Sequence, residues 1–378
     1  MKKSTLSAVI LAALASGSAA AAHTWVNEAG DSLTLDGRFD VRYQDKGGDH
    51  AGEWNSGSSR FGLKGTKGLD NGWTGFGHAE WGYNSGANGN NIYDRLLYVG
   101  VEHDKFGKVA AGTKQWSTFY DVAWYTDLGR VFGTRGSGVY NLSDWGIASG
   151  AGRAENSITY RNKINDALSY GFTYQTTREG VALSGSEHEL SVAPASTHNN
   201  RATATLKNGL GASMTYKGIE GVTLGAAYHQ NELQDVTSNV EGAKDGDHMR
   251  IMLVGANYSN GGFYAGATFH VGENWEAVET SSVTNALMDT IGGEFYTYYD
   301  FANGLRPTFI YNYMEERGNS FANNYERQLV VPGVEYHFQK NKFLVWTEYQ
   351  FDLGKDQLDG DKFVNREDQF AAGIRYYF

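Results

Sequence analysis

The chain contains no cysteine. That excludes thiolate catalysis, cysteine-ligated zinc and disulfide stapling, and it suits a polypeptide that crosses an oxidising compartment unfolded. Proline is scarce too, at 3 residues in 378, so little interrupts regular strand pairing. Past the amino terminus, no uncharged apolar stretch approaches the ~20 residues that a membrane-crossing helix needs. If the remainder sits in a membrane, it must do so as a closed barrel, in which strands satisfy one another's backbone groups. Positive charge is in the minority: 32 Lys and Arg face 43 Asp and Glu, a formal net of −11. That balance argues against nucleic acid as a partner.

The amino terminus carries the one apolar run. Lys2 and Lys3 precede the apolar residues 6–14, and the small residues 15–22 supply A-x-A cleavage sites. This is the pattern of a secretory signal peptide, and its apolar part is too short for an anchor helix. Cleavage is expected after Ala21 or Ala22. Residues 1–21 are then a removed leader and residues 22–378 a single domain. Losing Lys2 and Lys3 takes the formal charge from −11 to −13, and losing 21 of 378 residues leaves 357.

What the chain has in plenty is glycine (49 residues) and aromatic side chains (14%), a composition of long β-structure with many turns. From Leu33 to Gln44 the odd positions are Leu33, Leu35, Gly37, Phe39, Val41 and Tyr43, and the even ones Thr34, Asp36, Arg38, Asp40, Arg42 and Gln44. A strand points these sets to opposite faces. The pattern returns at Val222–His229 and at 305–314, where Ile310 breaks the polar set. It returns again at 369–378, ending in Tyr376-Tyr377-Phe378.

Tight turn signals at Leu69-Asp70-Asn71-Gly72, Gly261-Gly262 and Ala302-Asn303-Gly304 alternate with long polar connections at 45–58, 117–152, 178–208, 234–247 and 354–365. Turns on one side and loops on the other are the arrangement of an outer-membrane barrel. Strands are expected to begin near residues 33, 59, 73, 93, 108, 154, 167, 209, 222, 248, 263, 290, 305, 327, 342 and 367. That is sixteen, in an all-β antiparallel barrel of a size that encloses water. A soluble β-sandwich or β-helix would leave the aromatic faces without a partner sheet.

Enzyme readings find no footing. Gly107-Lys-Val-Ala-Ala-Gly112-Thr113-Lys114 has Lys and Thr in the wrong order for a P-loop, and no helix pattern follows. There is no G-x-S-x-G elbow. His78-Ala79-Glu80 lacks cysteine partners, which excludes a deaminase-type zinc site. Asp356-Gln-Leu-Asp359-Gly-Asp361 misses calcium-loop spacing and reads as a solvated acidic loop. No cofactor, metal site or catalytic residue is implied.

The segments Ser59-Arg-Phe-Gly-Leu-Lys-Gly65, Asp94-Arg-Leu-Leu-Tyr-Val-Gly100, Phe119-Tyr-Asp-Val122, Tyr125-Thr-Asp127 and Thr159-Tyr-Arg-Asn162 resemble, in this order, the trimeric general porins of Gram-negative outer membranes. The terminal Phe378 resembles that family's barrel-assembly signal. The resemblance implies a homotrimer set in outer-membrane lipid and lipopolysaccharide, passing ions and small hydrophilic solutes by passive diffusion. It also implies a third loop folded into the lumen, with a basic ladder on the wall facing acids on the loop. By motif the ladder falls on Arg38, Arg60, Arg95 and Arg153.

Parity places Arg38, Arg60 and Arg153 on the polar face independently. Arg95 lies in Leu96-Leu97-Tyr98-Val99, which shows no alternation, as a strand covered by a neighbouring subunit or an inserted loop would. Glu80 is an inward acid, and Asp127 the loop acid, with Asp121 and Asp144 as further contributors. Where the family carries Pro-Glu-Phe-Gly, this chain has Arg130-Val131-Phe132-Gly133. The expectation is a more positive, less cation-preferring constriction. The alternative is a chitoporin-like, sugar-preferring channel, with Trp116, Trp124 and Trp145 in or beside the loop and Asp144-Trp145 contacting sugar. The opposing reading is that these rings only pack the loop against the wall.

Overall fold

The computed structural model describes residues 22–48, 51–86, 89–133, 136–142, 146–183, 202–279, 285–318, 325–339, 342–359 and 362–378. The expected leader, residues 1–21, lies outside them. Among the described residues no helix is long and apolar enough to cross a membrane.

Sixteen long strands form the wall: β1 Ser32–Asp45, β2 Arg60–Gly68, β3 Thr74–Gly86, β4 Gly89–His103, β5 Gly107–Trp116, β6 Arg153–Lys163, β7 Leu168–Gln175 and β8 Gly209–Ile219. The second half is β9 Val222–Gln234, β10 His248–Asn260, β11 Phe263–Glu279, β12 Asn285–Tyr299, β13 Leu305–Glu316, β14 Glu326–Gln339, β15 Phe343–Asp352 and β16 Gln369–Tyr377. Each pairs antiparallel with its sequence neighbour, and β1 closes the ring on β16 from Arg38↔Tyr377 to Asp45↔Phe370. Backbone bonds between Gly37 and Phe378 seal the seam in both directions, at 3.0 and 3.1 Å. The short strand His23–Val26 continues the wall beneath the carboxyl terminus by pairing with the start of β1.

Alternation along the strands becomes inside and outside. On β1, Leu33, Phe39 and Val41 face outward, whereas Asp36, Asp40 and Gln44 are buried inward. On β16, Phe370, Ile374 and Tyr376 are outward and Gln369, Arg375 and Tyr377 inward. An apolar exterior and polar interior follow from lipid outside and water inside. The inward apolar exceptions share one cause: Ile310, Met249, Ile251 and Leu253 are fully buried because the long connection 117–152 lies over them inside the barrel.

The missing alternation in β4 has a different origin from the cover expected. Between β3 and β4 the register runs Glu80↔Leu96 and then Trp81↔Asp94, so Arg95 is an extra residue. This β-bulge turns both Arg95 and Leu96 inward and resets the parity, leaving Ile92, Leu97 and Val99 outward.

Candidate functional site: the constriction

The connection between β5 and β6 enters the lumen through a short helix, Tyr120–Ala123. Its root is tied to the wall. Arg161 on β6 grips both oxygens of Asp121, at 2.9–3.1 Å, and donates to the Trp116 and Ser117 carbonyls. Asp121 therefore anchors the loop. Val122 and Tyr125 then settle over Gly225, Gly255 and Gly266 on β9, β10 and β11. A Cβ at Gly266 would stand 2.2 Å from the Tyr125 carbonyl oxygen. Glycine here allows the close approach of two backbones.

The loop tip crosses to the far wall. The Glu348 carboxylate on β15 accepts three successive backbone N–H groups, from Arg130 (2.7 Å), Val131 (2.9 Å) and Phe132 (3.3 Å). The Arg130 guanidinium meets Glu335 on β14 through both oxygens, at 2.5 and 2.6 Å. Ile310 packs beneath Gly129 and Gly133. The returning half is held by the His270 ring nitrogen to Gly136 O (2.7 Å) and by Trp275 Nε1 to Gly138 O (2.7 Å). Asn231 Nδ2 donates to Ser149 O (2.9 Å). The loop is thus rooted on β6 and lies against the inner face of β7 through β15, leaving the wall of β1 to β5 open to the lumen.

The expected ladder residues lie on that open wall and at the start of β6. Arg38 and Arg60 are register partners on β1 and β2. Glu80 on β3 stands between two bases, 3.3 Å from Arg60 and 2.7 Å from Arg95. Arg153 opens β6 opposite Trp116, with its guanidinium 6.0 Å from the ring centroid. Across the opening, Asp127 is held by two phenols: the Tyr120 and Tyr140 hydroxyls donate to its Oδ2 at 2.5 and 2.6 Å. Burial, and then the neighbouring Asp127 charge, pushes both phenols well above their ordinary range, so they stay protonated and keep donating.

Two expectations need adjustment. Arg130 is on the loop, but its charge is met by Glu335 on the wall. Asp356, read as part of a solvated acidic loop, is 2% exposed and lies between Arg327 (2.9 Å) and Arg366 (2.6 Å). Asp144, Trp145 and Asp361 lie outside the described residues. Trp116 stacks on Tyr120 at 3.9 Å, and Trp124 packs edge-on to Tyr125 against the loop's apolar cluster.

Sequence reasoning did not single out Arg42 and Arg375 as part of this wall, although parity had put both on polar faces. Arg42 donates to Asn55 Oδ1 (2.9 Å), and Arg375 pairs with Asp40 (2.7 Å). Glu335 and Glu348 carried no local signal, since they meet the loop across 205 to 218 residues of chain.

A closed sixteen-stranded wall with a loop narrowing its lumen has a matching family model, that of the Gram-negative porins, over residues 29–378. The chain belongs to that family. It is 28% identical to outer membrane porin F of Salmonella typhimurium, with both chains covered in full. The solved Salmonella typhi OmpF in complex with daunomycin superposes with a TM-score of 0.74 at 25% identity, over 94% of this chain and 100% of that one. The anion-selective porin from Comamonas acidovorans shares the fold, with a TM-score of 0.66 at 17% identity, over 92% and 100% of the two chains. This porin is an outer-membrane channel of a Gram-negative bacterium, through which ions and small hydrophilic solutes diffuse passively.

Proposed function

We propose that the porin is a trimeric diffusion channel whose constriction favours small anions. Arg38, Arg60, Arg95 and Arg153 are its positive wall and Asp127 its facing acid. One observation carries this reading: among the described residues, acids at the opening are fewer than bases. Glu80 is shared by Arg60 and Arg95, and Asp40 is paired with Arg375. Leaving that buried pair aside, among the described residues the four guanidiniums of Arg38, Arg60, Arg95 and Arg153 face the two carboxylates of Glu80 and Asp127.

Three acids of the opposite wall are taken up beneath the loop or beside it. Glu335 is paired with Arg130, Glu348 faces backbone N–H groups, and Glu294 accepts from Asn312 Nδ2 at 3.0 Å. Within a narrow, poorly hydrated opening such charges act more strongly than exposed acids at the mouth, whose field salt screens over about 8–10 Å. The surplus is therefore expected to set selectivity. Val131, where the family's loop carries an acid, works in the same direction.

The reading includes removal of residues 1–21 during export, contact with outer-membrane lipid and lipopolysaccharide, and transport without covalent chemistry. Sugar preference has less support, because Trp116 and Trp124 are engaged with Tyr120 and Tyr125.

Swelling of porin-loaded liposomes in isosmotic solutions of matched size tests the reading. An organic anion is expected to enter faster than an uncharged sugar, and an organic cation slowest. The reverse order, or a saturable preference for sugar, would overturn it.

A further inference from the structure

Arg375 is 2% exposed and reaches no solute. Yet we propose that it sets the charge of the constriction: by holding Asp40, it leaves Arg38 uncompensated. Arg375 is then a positioning residue for selectivity, separate from the ladder. The inference rests on the reading that the basic wall controls permeation.

The arrangement is a short relay at the barrel seam. Asp40 on β1 and Arg375 on β16 are register partners, and Arg375 Nη2 lies 2.7 Å from Asp40 Oδ2. The same oxygen accepts the Ser58 hydroxyl at 2.6 Å and the Ser58 backbone N–H at 3.0 Å. With its proton given to Asp40, the Ser58 Oγ accepts from Arg38 Nη2 at 2.5 Å and from Arg375 Nη2 at 3.1 Å. Arg38 Nε donates to the Ser58 carbonyl at 2.9 Å. Among the described residues Arg38 has no ion pair, although an acid lies two positions along its own strand on the same face.

That acid is the natural partner of Arg38, since i and i+2 side chains share a strand face and one hydroxyl already bridges the two. Asp40 is fully buried, and a buried carboxylate is strongly penalised when unpaired. Without Arg375, Arg38 is the guanidinium linked to it through Ser58. Its turn toward Asp40 would withdraw one positive charge from the opening. The competing account makes Asp40–Arg375 a fastener between the first and last strands, important for stability alone.

Zero-current potentials of folded, reconstituted porin in a KCl gradient separate the two accounts. Arg375→Gln is expected to lower the chloride-to-potassium permeability ratio by about the same factor as Arg38→Gln. Arg375→Lys and the double variant Asp40→Asn/Arg375→Gln are expected to stay at the wild-type ratio. Asp40→Asn alone is expected to raise the ratio, which keeps the question decidable if Arg375→Gln does not fold. Wild-type ratios for both Arg375→Gln and Asp40→Asn would overturn the inference. A wild-type channel that prefers potassium would overturn the anion-favouring reading, while the ordering of the variants would still decide the role of Arg375.

Discussion

Arg130 illustrates how a side chain's meaning depends on what it touches. Read alone, a base replacing an expected loop element adds positive charge to the pore. In the structure its guanidinium is bidentate to Glu335, with both side chains largely buried (12% and 3% exposed), so the pair fastens the loop. Removing one partner of a buried pair costs up to about 3–5 kcal/mol when the other charge is left alone, and less here, because Glu335 also lies 3.5 Å from Arg306 and 2.8 Å from the His337 ring. Arg130→Ala is therefore expected to lower the barrel's denaturation midpoint. Joint replacement with Glu335→Ala should recover most of the loss, and equal losses in the single and double variants would contradict the pairing. On the proposed reading Asp127 is the charge that faces the wall, so Asp127→Asn is expected to raise the chloride-to-potassium permeability ratio, read from the zero-current potential. Motif and parity together put Arg38, Arg60 and Arg153 on the inner wall, whereas motif alone pointed to Arg95, whose parity the bulge disrupts. The partner of Arg130 was not legible in the sequence, because a contact across 205 residues leaves no periodic trace.

At the scale of elements, the strands were the most legible part. Alternation and turn chemistry placed the beginnings of all sixteen within a few residues. The departures are informative. Inward apolar residues such as Ile310 and Leu253 mark where the loop is seated, and the broken pattern around Arg95 marks a bulge. The seat itself depends on Gly225, Gly255 and Gly266, which looked like ordinary strand glycines until the helix above them was placed. Gly266→Val is expected to force the loop off the wall, costing about 1–3 kcal/mol through overpacking and changing single-channel conductance. An unchanged conductance would place the loop elsewhere.

The acidic connection after β15 was misread, because one arginine partner of Asp356 lies on another strand, β14, and the other, Arg366, reaches it only once the connection folds back. Burial alone would push its carboxyl up, but Arg366 and Arg327 hold it below the usual carboxylate range. A lowered folded value means its contribution is fully present above the ordinary carboxylate pKa of about 4 and is lost as pH falls through the lowered value. The stability difference between wild type and Asp356→Asn, read from denaturation midpoints by intrinsic fluorescence, is therefore expected to be largest above about pH 4 and to shrink as pH falls further; a difference independent of pH would contradict the pairing.

At the scale of the whole molecule, net charge and function point in opposite directions. The chain carries a formal −11, yet on the proposed reading the charges nearest the permeating ion are mostly basic, and local geometry outweighs the total where the path is narrowest. The same view explains why mean composition resembles that of a soluble protein: a barrel wet inside and apolar outside averages to neither. Channel formation by the folded chain, with the sign of its selectivity, is the central claim. It is tested most directly by single-channel recording in a planar bilayer under a KCl gradient. The account predicts channels that close in three equal steps, with a zero-current potential of the sign set by chloride. Folded protein that opens no channel, or a potential of the sign set by potassium, would contradict it.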